Sequence, residues 1–177
     1  YCALVSYVDL KVGQLLQTLE ENDLDKDTVV IFVSDHGDML GEKGMVQKRS
    51  FYEWSSRVPL IFRFPDRRHA GKTIKAPTSL VDLLPTVLEI AGIREKPPVD
   101  GHSVMRLIDG RDDPGRHVFS EYHSNGVYST CFMVRQGKFK YIHIHGRQDQ
   151  LFDLENDPGE WKNLVNQSSA GDLAKSF

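Results

Sequence analysis

The chain has 177 residues, 40% of them hydrophobic and 27% charged, which excludes a disordered polymer and allows one substantial core. Its formal net charge of −3, with the two signs interspersed, leaves no basic stripe to neutralise phosphates, so nucleic acid is not an expected partner. No apolar run approaches the roughly 20 residues of a membrane span, and Cys2 and Cys131 lack both metal-ligand spacing and a disulfide framework.

The chain opens without an initiator Met, inside an amphipathic pattern that no capping residue precedes, and is read as a fragment of a longer protein. In residues 1–21, Leu4, Val8, Val12, Leu15, Leu16 and Leu19 recur at helical spacing with Lys11, Gln14, Gln17 and Glu20 between them, which predicts a helix packed on a neighbour. Residues 28–33, Thr-Val-Val-Ile-Phe-Val, form an unbroken β-branched and aromatic run without alternation. Such a run is expected of a strand buried on both faces, as in a parallel sheet. It ends at Ser34-Asp35-His36-Gly37-Asp38, and the carboxyl edge of an α/β sheet is where ligands bind.

A second strand is predicted over 58–64, with Pro59 at its start, and a helix over 79–92, with Gly92 as its stop and Pro85 as a kink. Residues 94–115, rich in Pro, Asp and Gly, read as a linker to a tail of different character. There, a short strand at 118–120, a hairpin of 131–135 and 138–143 turning at Gln136-Gly137, and a strand at 151–154 are predicted. After the turn Asn156-Asp157-Pro158-Gly159-Glu160, residues 161–165 are expected to open a short helix. Two domains follow: 1–115 as an α/β portion and 116–177 as a small antiparallel subdomain.

An Asp-His pair at a chain bend can turn an oxygen and a nitrogen donor toward one divalent ion; it equally fits a turn-capping Asp beside a surface His. Lys48 could hold a tetrahedral oxyanion as a point charge, or be a solvated cation. Asp38 could support the ligands or cap a backbone N–H, and Arg57 reads as a structural ion-pair partner. Glu121, Tyr122 and His123 could line a substrate mouth, with His123 the weaker substrate-binding candidate; a surface histidine is the plainer reading. His143, His145 and Arg147 alternate on one strand and read as a solvated sheet face.

These blocks resemble, in order and over nearly the whole chain, the sulfatases of the alkaline phosphatase superfamily. The resemblance is carried by the strand ending in Ser34-Asp35-His36-Gly37-Asp38-Met39-Leu40-Gly41-Glu42, by Lys48 ahead of Glu53, and by Arg57-Val58-Pro59-Leu60-Ile61. Leu80-Val81-Asp82-Leu83-Leu84-Pro85-Thr86, Asp100-Gly101-His102-Ser103, residues 134–142 and residues 151–158 add to it. Asp-His-Gly with Asp-Met-Leu-Gly-Glu looks most like the bacterial choline-sulfatase-like and iduronate-sulfatase-like branches.

The resemblance implies an α/β fold, part of an α/β/α sandwich with a largely parallel central sheet, followed by a small antiparallel C-terminal sheet with a short helix. It also implies a sulfuric ester hydrolase that cleaves sulfate esters to alcohol and inorganic sulfate. Asp35 and His36 match metal-site residues, for which Ca2+ is the expected ion and Mn2+ or Mg2+ the alternatives. Lys48 matches the catalytic and substrate-binding lysine that grips sulfate oxygens. The nucleophile it implies is a formylglycine made from a Cys or Ser in a Cys/Ser-x-Pro/Ala-x-Arg sequence. Cys2 is followed by Ala3-Leu4-Val5-Ser6 and Cys131 by Phe132-Met133-Val134-Arg135, so neither fits, and the nucleophile is expected in a missing N-terminal half. The chain alone is then expected to be inactive and to leave a strand edge and apolar surface uncovered.

The expected partners are a small-molecule or saccharide sulfate ester and that N-terminal half, with a homo-oligomer as an option and no membrane. Cytoplasmic or periplasmic location stays open. The competing readings are a phosphoryl or phosphonate ester hydrolase of the same superfamily and a sulfatase-like binding module without activity.

Overall fold

The computed structural model describes residues 1–94, 97–111, 113–123, 126 and 128–167; parts of the expected linker, at 95–96 and 112, and the last ten positions of the tail lie outside them. The chain divides into two compact units, Tyr1–Ser34 with Pro59–Gly71, and Asp35–Val58 with Lys72–Phe177.

In the first unit, the periodic apolar pattern forms α1 (Cys2–Glu21), which buries none of its residues and leaves Leu4 and Leu15 68% and 69% exposed. No helix among the described residues is long and apolar enough to cross a membrane. The apolar runs form β1 (Val30–Val33) and β4 (Leu60–Arg63). The two pair antiparallel, Val30 opposite Arg63 and Val33 opposite Leu60, which corrects the parallel neighbour expected for β1. The reason is physical: a continuous apolar run reports what its two faces meet and says nothing about the direction of the strand beside it. Pro59 stands one residue before β4, where its missing N–H costs the ladder nothing.

The second unit begins with a two-residue ladder of β2 (Met39–Leu40) on β3 (Val46–Gln47), followed by the one-turn helix α2 (Glu53–Ser56). Residues 79–92 form a 3-10 turn, Leu80–Asp82, running into α3 (Leu83–Ile90). Pro85 lies in the first turn of α3, whose N–H groups have no helical acceptor, so the expected kink does not arise. Gly92 ends the helix at φ 69°, with Ile93 N donating to Leu88 O at 2.9 Å, the bond that closes a Schellman turn. A short helix α4 (Met105–Ile108) follows.

Asp82, 3% exposed, holds this region together. Its Oδ2 accepts from Ser79 N at 2.8 Å and Arg116 Nη2 at 2.5 Å, its Oδ1 from His102 N at 2.8 Å, and its carbonyl from Thr86 Oγ1 at 2.6 Å. A Cβ on Gly101 would fall on the Val81 carbonyl, so only glycine lets the 100–103 loop come this close.

The rest is a four-stranded antiparallel meander of β5 (His117–Tyr122), β6 (Cys131–Gln136), β7 (Phe139–Ile144) and β8 (Gln150–Asp153). The β6–β7 turn falls at Gly137-Lys138, one residue later than predicted, because Gln136 pairs with Phe139 and Gly137 takes φ 53°. One face carries the core: Met133, Ile142 and Phe152 pack with Phe51 and Tyr52. Residues 161–167 take turns in place of the helix expected to open there. Leu164 N donates to Leu151 O at 2.8 Å and Asn163 Oδ1 accepts from Leu151 N at 3.0 Å, which tie the segment to β8 at Leu151.

Candidate active site

The loop that follows β1 in sequence turns sharply at Asp35 and His36. Asp35 Oδ1 accepts from the His36 backbone N–H at 2.9 Å, while its Oδ2 lies 3.4 Å from His36 Nε2. Oδ1 thus makes the capping bond, and Oδ2 lies on the side of the imidazole. His36 Nδ1 is 2.8 Å from Gly37 O. A carbonyl only accepts, so Nδ1 bears the proton and Nε2 presents the lone pair. That lone pair meets Lys48 Nζ at 2.6 Å. Asp35, His36 and Lys48 are thus brought together.

Two close contacts set the loop. Gly37 N donates to Ser55 O at 2.8 Å, and a Cβ on Gly37 would fall against the carbonyl oxygen of Trp54, so the loop presses on α2 at a distance only glycine allows. Ser55 is 2% exposed, and its Oγ donates to Lys48 O at 2.8 Å.

The helix is pinned in turn by buried charge. Glu160 Oε2 accepts from Glu53 N at 2.7 Å, satisfying an N–H that a helix start leaves without a partner. Lys140 Nζ meets Glu53 Oε1 at 2.5 Å, Glu160 Oε1 at 2.8 Å and Phe51 O at 2.8 Å. Arg135 Nη1 adds a 3.3 Å contact to Glu53 Oε2. Lys43 donates to Glu160 O at 2.5 Å, its ammonium 4.7 Å from the Tyr52 ring and 4.3 Å from the Trp161 ring; burial holds its pKa below the usual lysine range. None of Ser55, Lys140 or Glu160 was singled out from the sequence.

The weaker candidate, His123, lies just past the end of β5, with Nε2 3.1 Å from Glu121 Oε2 and its ring edge-on to Phe132 at 5.3 Å. Those contacts tie it to its own sheet. Arg57 reaches Glu53 only at 3.9 Å and is 75% exposed, an ion pair of small worth. His143 Nδ1 pairs with Asp149 Oδ1 at 2.8 Å, and Tyr141 OH donates to Asp149 Oδ2 at 2.5 Å. β7 ends at Ile144, so His145 and Arg147 lie in the turn beyond it and the single strand face expected for His143, His145 and Arg147 does not form.

Asp35 and His36 offer a carboxylate oxygen and an imidazole nitrogen whose tautomer a backbone carbonyl sets, a donor set that suits a divalent ion. Among the described residues no three His, Cys, Asp or Glu side chains converge on one point, so the pair is at most part of a coordination shell.

A one-turn helix thus lies pinned under an Asp-His loop and a lysine, and an antiparallel meander follows it in the chain. A family model described as N-sulphoglucosamine sulphohydrolase, C-terminal, matches residues 41–177, and the chain belongs to that sulfatase family as its C-terminal region. A second model, type I phosphodiesterase / nucleotide pyrophosphatase, matches residues 3–54. The choline-sulfatase of Rhizobium meliloti (strain 1021) is 41% identical over 170 residues, 93% of this chain and 32% of its own length. The chain thus spans about a third of the length of the curated relatives it matches.

Among solved structures, one in complex with its substrate D-glucosamine-2-N,6-O-disulfate aligns over 97% of this chain and 37% of its own, with TM-score 0.87 and 30% identity. The phosphonate monoester hydrolase of Agrobacterium radiobacter aligns over 97% and 38%, with TM-score 0.83 and 27% identity. The α/β fold class read from the sequence is shown by these likenesses.

Proposed function

We propose that this chain supplies the sulfate-gripping lysine and two of the metal ligands of a sulfatase that hydrolyses sulfate esters to alcohol and inorganic sulfate. The observation that carries the reading is the approach of Lys48 Nζ to His36 Nε2 at 2.6 Å, with Asp35 Oδ2 alongside. Asp35 and His36 would hold a divalent ion, Ca2+ before Mn2+ or Mg2+, which when bound polarises a sulfate oxygen. His36 Nε2 has one lone pair. It accepts from Lys48 here; committed to an ion, it leaves the Lys48 ammonium to donate to a sulfate oxygen and to stabilise charge moving toward the leaving group. The formylglycine nucleophile belongs to a part of the protein outside this sequence, and the chain alone does not turn over substrate.

A saccharide sulfate is the preferred ester, supported by the disulfated glucosamine substrate of one structural relative. A phosphonate or phosphoryl ester is the second reading, favoured by the likeness to a phosphonate monoester hydrolase.

The test uses the full-length protein with its nucleophile matured, assayed for release of sulfate and of phosphate. Sulfate release that Asp35→Ala and Lys48→Ala each reduce by a factor of at least about 100 supports the sulfatase. Phosphate release alone moves the chain to the second reading, and release of neither makes it a binding module.

A further inference from the structure

In a one-turn helix, a serine hydroxyl ordinarily bonds back to its own preceding turn. Ser56 does so, its Oγ 3.0 Å from both Phe51 O and Tyr52 O. Its neighbour Ser55 does not. The Ser55 hydroxyl reaches out of the helix, seven residues back, to Lys48 O at 2.8 Å, while the Ser55 carbonyl takes the Gly37 N–H at 2.8 Å. One residue, 2% exposed, thus fastens two separate chain segments, those that carry Lys48 and His36. Its platform is itself anchored, because Glu160 caps Glu53 N and Lys140 bridges the two carboxylates.

We propose that Ser55 is a positioning residue that sets the backbone of Lys48 against the His36 loop, an inference that rests on the reading of Lys48 as the sulfate-gripping lysine. The Lys48 side chain is long and exposed, and its neighbour His36 is partly exposed, so neither is locked by packing. The hydroxyl bond fixes the point from which the lysine reaches. A displacement of about 1 Å at a catalytic group costs about 100-fold in rate, so a single anchoring bond has a measurable effect on turnover.

The experiment is a double-mutant cycle in the full-length protein: wild type, Ser55→Ala, Lys48→Ala and the double variant. The readouts are the affinity for inorganic sulfate by calorimetry, kcat and KM on a sulfate ester, and the melting temperature. Ser55→Ala is expected to lower kcat and weaken sulfate binding about tenfold, and to add nothing once Lys48 is already alanine. Ser55→Cys, of similar size with a weak S–H donor, is expected to fall between and answers the question if the alanine variant does not fold.

Losses that simply add in the double variant, or a Ser55→Ala protein equal to wild type in both sulfate affinity and kcat, overturn the proposal. The Lys48→Ala arm reads the underlying function separately: if it binds sulfate as wild type does, the sulfatase reading of Lys48 fails and the role of Ser55 falls with it.

Discussion

Lys140 Nζ lies 2.8 Å from Glu160 Oε1, with the two side chains 1% and 0% exposed, so an ion pair sits wholly inside the second unit. Two charges removed from water are tolerable only when every donor is answered. Lys140 has three donors and three acceptors: Glu160, Glu53 and Phe51 O. Glu160→Ala removes one of them, opens a void and bares the N–H of Glu53. It should cost about 3–5 kcal/mol in urea unfolding of the intact protein. A loss below about 1 kcal/mol would show that the network is not maintained in solution.

Gly37→Ala places a methyl against the Trp54 carbonyl oxygen and must push the 35–38 loop off α2. Turnover of the full-length protein should fall by about 100-fold or more, since a displacement of about 1 Å has that effect on catalytic groups. Circular dichroism should still show a folded protein. Unchanged activity would mean that the loop has slack the close contact does not suggest.

Asp82→Ala takes the carboxylate from three donors, the N–H groups of Ser79 and His102 and the Arg116 guanidinium, which is only 10% exposed. Leaving a buried arginine without its carboxylate should destabilise the intact protein by about 3 kcal/mol or more, read from its urea midpoint. Asp82→Asn, which keeps the shape and some of the acceptors, should fall between. Equal stability of all three proteins would contradict the assignment of Asp82 as the hub.

Asp153 gives the sheet a pH dependence. Burial works to raise its carboxyl, but the Lys138 ammonium, the Asn156 side chain and the backbone N–H groups of Asn156 and Glu155 outweigh it and hold the pKa down from 3.8 to about 2. A folded pKa below the unfolded one contributes stability that is present above 3.8 and is lost as pH falls through about 2. The urea midpoint of wild type should therefore decline over that window more than that of Asp153→Asn. Parallel curves for the two proteins would refute the depressed pKa.

Tyr141 should titrate late. Burial first, then the hydrogen bond to Asp149 and that residue's negative charge, push its pKa from 10.0 up to about 12. Phenolate absorbance should report this value, and Asp149→Asn should shift it toward 10.0 without reaching it, because burial remains. An unshifted midpoint in the variant would exclude Asp149 as a cause.

The elements were largely legible in the sequence because they rest on local pattern. The 3.6-residue period delivered α1, and the apolar runs and the Gly137 turn delivered the strands. Asp35, His36 and Lys48 were named through resemblance, and the structure brings the three side chains together. What escaped depends on long-range partners. Glu160 reads as one more polar residue in a Pro-Gly turn, and Lys140 as a charge in a strand, because nothing nearby announces that the two meet inside the protein. Ser55 escaped for the same reason: a serine in a short helix looks like any other until its hydroxyl is seen to leave the helix. Strand direction at β1 escaped because burial and direction are separate properties.

The anchoring of α2 by Glu160 also has a consequence in time. Glu53 and Glu160 are 107 positions apart, while β5 to β8 pair only with sequence neighbours. On the ribosome, the segment bearing Lys48 emerges first, and the helix beside it lacks its buried cap until Glu160 has been made, on the order of 10 s later at ordinary elongation rates. The meander, needing only short loop closures, zips as it appears. Asp35, His36 and Lys48, to which the proposed function assigns the chemistry, are therefore translated early and put in place late, so truncation just before Glu160 should yield a protein that keeps its strands and has no ordered site.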